Sequence, residues 1–161
     1  MIVDFNEIPT WSKLWVFPSS RKFYEQEISG LKENIEAFLN SWTNEDQLFN
    51  CAYELKHHRF IIISVDNSEI NLSLKTHDAL SVFIQELEKK YEVILLDKIN
   101  VCYKQGEFVQ YKDIVEFKKM MKEKGVSSKT IVFDNMITTK EELENNWEIN
   151  IMDSWLGRFL K

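Results

Sequence analysis

Apolar residues recur at Tyr24, Ile28, Leu31, Ile35, Phe38 and Trp42. The spacings of three and four put all six side chains on one face of a helix of about five turns. Ser20 precedes the run as a candidate N-cap, its hydroxyl able to accept from helix N–H groups that have no partner of their own. The stripe is short and lacks flanking charge pairs, so it predicts packing against a sheet rather than a coiled coil. Gly30 interrupts it at a cost of about 1 kcal/mol relative to Ala, which points to a close neighbour.

Elsewhere the pattern changes to period two. Residues 13–17 read as a first strand, and residues 49–56 alternate with Cys51, Tyr53 and Leu55 on one side. Residues 59–65 are almost wholly apolar and β-branched, the signature of a central strand covered on both faces. A short alternating stretch, 70–74, predicts a further strand before Thr76 or Asp78 opens a helix with Leu80, Phe83, Ile84 and Leu87 inward. Residues 93–103 and 108–111 flank Lys104-Gln105-Gly106-Glu107 as a hairpin. Asp113 with Glu116 forms a capping box for a helix with Ile114, Phe117 and Met121 inward and Gly125 as its stop. A strand at 130–133 follows, then a second capping box, Thr139 with Glu142, and a helix reaching about Trp147. The aromatic segment 151–160 is expected to dock on the core. Strands adjacent in sequence dominate, so the prediction is an α+β fold, a mainly antiparallel sheet with about four to five helices packed against it.

Composition narrows this picture. A chain of about 150 residues buries roughly 68–70% of its extended surface. These 161 residues, 44% of them hydrophobic, therefore need neither disulfide nor metal to hold a core. Five Trp and eleven Phe make that core bulky. No linker, repeat or low-complexity tract divides the chain, so residues 1–161 are read as a single domain. No apolar run reaches the length of a membrane span, and residues 1–9 carry two acids and no Lys or Arg, unlike a secretory signal. The expected location is the cytoplasm, where Cys51 and Cys102, which form no CxxC pair, read as free buried thiols. The net charge of −6 repels phosphate backbones and argues against nucleic acid as a partner.

Candidate chemistry is sparse. Pro18-Ser19-Ser20-Arg21, between a strand and a helix, offers two hydroxyls, a guanidinium and helix N–H groups to an anion. The same Ser could equally be a plain cap, and Arg21 could pair with a nearby acid. His57-His58-Arg59 invites a metal, but neighbouring side chains on a strand face opposite ways. A solvated turn or strand end explains the pair as well, and no HExxH or Cys cluster occurs, so neither metal nor cofactor is expected. Asp66 at the end of the central strand, with His77 and Asp78 at a helix start, are positions that acid–base groups often take. They are also ordinary turn and first-turn residues. Lys118, Lys119, Lys122 and Lys124, interrupted by Glu116 and Glu123, read as a solvated helix face, and Trp147, Trp155 and Phe159 as docking aromatics or a partner surface.

Several segments together resemble a known group of proteins: Trp15-Val16-Phe17-Pro18-Ser19-Ser20-Arg21, Phe38 with Trp42, Arg59-Phe60-Ile61-Ile62 leading to Val65-Asp66, Val132-Phe133-Asp134-Asn135, Trp147, and Ser154-Trp155 with Arg158-Phe159. They are similar to a small bacterial family that often carries the label "ABC transporter ATPase", and the likeness runs from Trp11 to Leu160. The label conflicts with the chemistry: such an ATPase cradles phosphates in a GxxxxGK[ST] loop, and this chain, with four Gly, has none. The resemblance thus implies an architecture and no reaction. Members of that family carry a Ser-Gly-Cys-Ser-Ile-Asp-like segment where this chain reads Leu72-Ser73-Leu74-Lys75-Thr76-His77-Asp78. Asp78 alone matches, and the missing Cys removes a thiol nucleophile from that place.

Two functions are therefore expected. The first is a non-enzymatic binding or adaptor domain for a protein or a small anionic ligand, with Ser19, Ser20, Arg21, Arg59, Asp66, His77 and Asp78 as candidate contacts, since no nucleophile–base–orienter set is assembled. The alternative is a small hydrolase or transferase acting on a phosphorylated substrate, with Arg21 holding the anion and Asp66 or His77 as base. The two differ in whether these residues share one cleft.

Overall fold

The apolar run Phe60-Ile61-Ile62-Ile63 becomes the middle of a sheet. In the computed structural model, which describes residues 1–160, β3 (Phe60–Val65) pairs antiparallel with β1 (Lys13–Pro18) on one side and β2 (Cys51–Lys56) on the other. Every residue of β3 is buried, as a strand covered on both faces requires. One face meets α1 (Glu25–Ser41) and α2 (Leu74–Tyr91), where Leu31, Ile35, Leu39, Ile84 and Leu87 pack on Ile61, Ile63 and Val65.

The opposite face, carrying Leu14, Val16, Phe60 and Ile62, packs on a second sheet through Cys102, Phe133 and Trp147. That sheet has the order β5-β4-β6-β7, all antiparallel, from β4 (Val101–Gln105), β5 (Phe108–Lys112), β6 (Ile131–Phe133) and β7 (Glu148–Asn150). Period two is visible on β4: Cys102 faces the first sheet, while Val101 and Tyr103 face α3 (Ile114–Lys122) with Phe117 and Met121. Two 3-10 turns, Ile151–Asp153 and Trp155–Leu160, close that side through Ile151 and Leu156. The short helix α4 (Lys140–Asn146) covers one end of the interface between the sheets with Leu143. The fold is α+β, and its strands divide between two packed antiparallel sheets. No described helix is long and apolar enough to cross a membrane.

Three local expectations are corrected. The helix predicted to start at Ser20 has Tyr24 at its N-cap, because the Ser20 hydroxyl is taken by the Ile94 N–H at 3.0 Å. Residues 70–74 form no strand; Ser73 caps α2 by accepting from the Thr76 N–H. The hairpin strand expected from residue 93 begins at Val101. Before it, Glu88 reaches across to accept from the N–H groups of Leu95 and Leu96 at 2.7 and 3.1 Å, fixing that stretch as a loop. Asp113 and Thr139 cap α3 and α4 as their sequences predict.

Candidate functional site

The site begins with a turn. Between β2 and β3, His57 and His58 both lie in the left-handed region, at φ 55° and 49°, and the Arg59 N–H donates to the Lys56 carbonyl at 3.0 Å. This is the hand of turn that suits a hairpin. It is rare for residues with a side chain, although His tolerates it better than most. Because Lys56 pairs with Phe60, Arg59 is an extra residue outside the in–out alternation of the strands. Its backbone carbonyl accepts from the Ser19 N–H at 3.0 Å, and its Nη1 donates back to the Ser19 carbonyl at 3.0 Å. The turn and the end of β1 are thereby tied together.

Arg59 is 8% exposed and has no ion pair among the described residues. Burial holds its pKa below the usual value, with the Cys102 thiol and Tyr111 phenol as the titratable groups nearby; a guanidinium nevertheless stays charged. Of its donors, Nη1 alone has a partner in the protein, and neither Nε nor Nη2 is sealed from solvent. Arg59 belongs to the lining of a cleft of about 290 Å³. Lys22, His57 and His58 form one wall, and Glu107, Phe108 and Val109 of the β4–β5 hairpin form the other. Two permanent cations therefore face one carboxylate. His58 Nδ1 lies 3.5 Å from Glu25. Burial pushes the His57 pKa below normal, opposed by Glu148 and reinforced by Lys104 and Lys56. The lining offers no hydroxyl or thiol nucleophile.

Cys102, near enough to the same guanidinium to feel its charge, is pushed up to about 12 by burial, against the opposing pull of Arg59 and Asn135. It is a core thiol. Asn135 is itself fixed by the Trp147 indole N–H at 2.9 Å.

The other candidates lie apart from this cleft or are already satisfied. Arg21 forks onto Glu27 at 2.8 and 3.0 Å and donates to the Tyr91 carbonyl at 2.7 Å. Glu27 also accepts from the Tyr24 N–H at 2.7 Å, completing the capping of α1. Pairing with each other raises the Arg21 pKa and lowers that of Glu27. Ser19 is buried, its hydroxyl accepting from the Arg21 N–H at 3.4 Å, and Ser20 exchanges hydrogen bonds with Ile94.

Asp66 sits at the far end of β3 from Arg59, about 20 Å away along a strand of this length. There it accepts from Ser68 and lines a separate cavity of about 490 Å³ with Trp11 and Leu48. His77 packs edge-on against Trp15 at 5.7 Å, where burial lowers its pKa, and Asp78 is exposed on α2. Among the described residues no group of three or more His, Cys, Asp or Glu converges on a point where a metal could be held.

The structure thus joins Arg59 to Ser19 and adds Lys22 and the hairpin residues Glu107 to Val109. Lys22 stood next to a residue of interest. The hairpin contribution has no local signal, since it arises from sheet-on-sheet packing. No family model, curated protein or solved structure matches the chain.

Proposed function

We propose that the protein is a binding domain for an anionic ligand, held in the cleft beneath Arg59. The observation that carries this reading is Arg59, 8% exposed as a residue, with no carboxylate beside it and with Nε and Nη2 left without a partner in the protein. A buried charge without a partner is costly, and proteins pair such groups. A carboxylate or phosphate oxygen bonded to Nε and Nη2 would supply the partner in the fork geometry that arginine favours. Lys22 adds attraction at the rim.

The hydrolase or transferase alternative has less support. It asks Arg21, already engaged by Glu27, to hold the anion, and it asks for a base from Asp66 or His77, which line no part of this cleft. Kinship with the bacterial family named above remains part of the proposal, on the residues quoted there. So does a cytoplasmic location, on the two free thiols.

The test is a titration with inorganic phosphate and with acetate, followed by NMR of the arginine and histidine side chains. Saturable shifts are expected at Arg59 and His58. Arg59→Gln should weaken binding by about 10- to 100-fold, the worth of charge-assisted hydrogen bonds, while Arg21→Gln should leave it in place. Equal titrations in wild type and Arg59→Gln would refute the reading.

A further inference from the structure

β5 is an edge strand of the second sheet, paired on one side with β4 and on the other with nothing. Its hairpin closes with Gln105 opposite Phe108 across two loop residues, Gly106 at φ 63° and Glu107. In a two-residue hairpin the closing pair is hydrogen-bonded, so Phe108, Gln110 and Lys112 direct their backbone groups to β4. Val109 and Tyr111 direct theirs outward. No other hydrogen bond in the described protein reaches the backbone of this strand. In the first sheet the open edges are partly covered: Leu14 of β1 donates to the Thr138 carbonyl, and Cys51 of β2 exchanges hydrogen bonds with Met1 and Val3.

The bare edge and the unpaired guanidinium are neighbours. Val109 lines the Arg59 cleft, and the Tyr111 phenol is one of the few titratable groups that Arg59 feels. Their side chains pack inward, toward the first sheet. A strand added beside β5 would direct every second side chain to that same face. An acidic side chain there meets Arg59, with Lys22 alongside and Glu107 opposing at the hairpin tip. Phe108, 69% exposed at the start of β5, offers apolar contact to the next residue on the other face. Natural edge strands are commonly blunted by charge, proline or a bulge; β5 carries a single Lys at its end.

We infer that the anion is a carboxylate on an extended segment of a partner protein, which adds to the second sheet as a strand along β5 and anchors one acidic side chain on Arg59. Backbone pairing supplies affinity, and the buried guanidinium sets register and the demand for an acid. This rests on the anion-binding reading and narrows it to a peptide.

An array of hexapeptides with alternating β-branched residues around one central Glu, compared with the same array bearing Gln, tests it on the whole protein. Glu peptides are expected to bind at least tenfold better than their Gln counterparts, and the preference should vanish in Arg59→Gln. Methylating the amides along one edge of a bound peptide should abolish binding, while methylating the other edge is tolerated. Glu and Gln peptides binding alike, tolerance of methylation on both edges, or no bound peptide while phosphate still titrates Arg59 would overturn the strand and leave the anion site standing. Loss of the phosphate titration as well would remove both.

Discussion

Arg21 and Arg59 meet the same corner of the first sheet, where β1 ends, and are held in opposite ways. Arg21 retains 30% of its side-chain exposure and is nonetheless satisfied twice over, by the Glu27 carboxylate and the Tyr91 carbonyl. Arg59 is far more buried and has one carbonyl. Desolvation argues for the reverse, since the deeper charge has the greater need of a counterion. The difference separates a structural cation, which fastens the start of α1 to the end of α2, from one left without a counterion among the described residues. Charge alone does not mark a site; an unmet need for a partner, in a place with access, does.

The comparison can be broken or sharpened in four ways. The largest effect concerns Cys102. If the Arg59 guanidinium served its own neighbours, it would activate this thiol; burial instead places it at about 12 against an ordinary 9.0. Native protein at pH 8 should then react with iodoacetamide roughly a thousandfold more slowly than the unfolded chain, the ratio of thiolate populations. Fast native alkylation would place Arg59 in a reactive centre.

Next, Arg21→Met should cost about 1–3 kcal/mol in urea unfolding, through a lost ion pair and carbonyl bond, and leave phosphate affinity unchanged. Arg59→Met should do the opposite, weakening affinity by about 10- to 100-fold or more with a smaller stability change, because an unpaired buried charge goes with it. Equal stability losses would erase the distinction.

Third, Glu27 has a folded pKa below its unfolded one. Its contribution is therefore fully present above the unfolded carboxylate value and is lost as pH falls through the folded one. Glu27→Gln should lower stability by about 1 kcal/mol near pH 7 and flatten the acid limb below about pH 4.

The smallest effect is at His57, whose folded pKa is also depressed. Its imidazole should titrate below about 6.5 by NMR. Because His57 is exposed and solvent screens the effect, only a slight loss of stability is expected as pH falls from there through the folded value, a slope absent in His57→Phe.

Periodicity predicted the layers well where a face is buried. Of the predicted α1 stripe, Leu31, Ile35 and Trp42 are buried and Ile28 and Phe38 half-buried, Tyr24 is exposed, and Leu39, outside the predicted run, is buried beside them; the all-apolar β3 is buried as its pattern requires. It failed where a single polar group decided the matter. Ser20 has the composition of a cap, yet Ile94, distant in sequence, claims its hydroxyl. Residues 70–74 alternate like a strand, with Ile70 and Leu72 half-buried against the core, but no neighbouring strand is there to pair with them. The site was half legible. Arg59 was singled out from its place in a cluster with two histidines, but not as the leading residue, since Arg21 has the more familiar setting before a helix. What separates the two is the presence of Glu27 beside one and of no acid beside the other, a property of packing that spacing does not encode.

The turn that carries Arg59 also ties this corner to the distant end of the chain. An Asn-Gly pair adopts the left-handed conformation unaided and can start a hairpin; two histidines bear a cost of about 1 kcal/mol each to do so. That cost is met by the His57 ring resting against Phe60, Phe133 and Trp147 at 6.0, 5.7 and 6.2 Å, and the last two arrive from the C-terminal third of the chain. The corner therefore leans on the second sheet for its conformation, and substitutions that loosen Phe133 or Trp147 are expected to loosen the turn and its arginine with them.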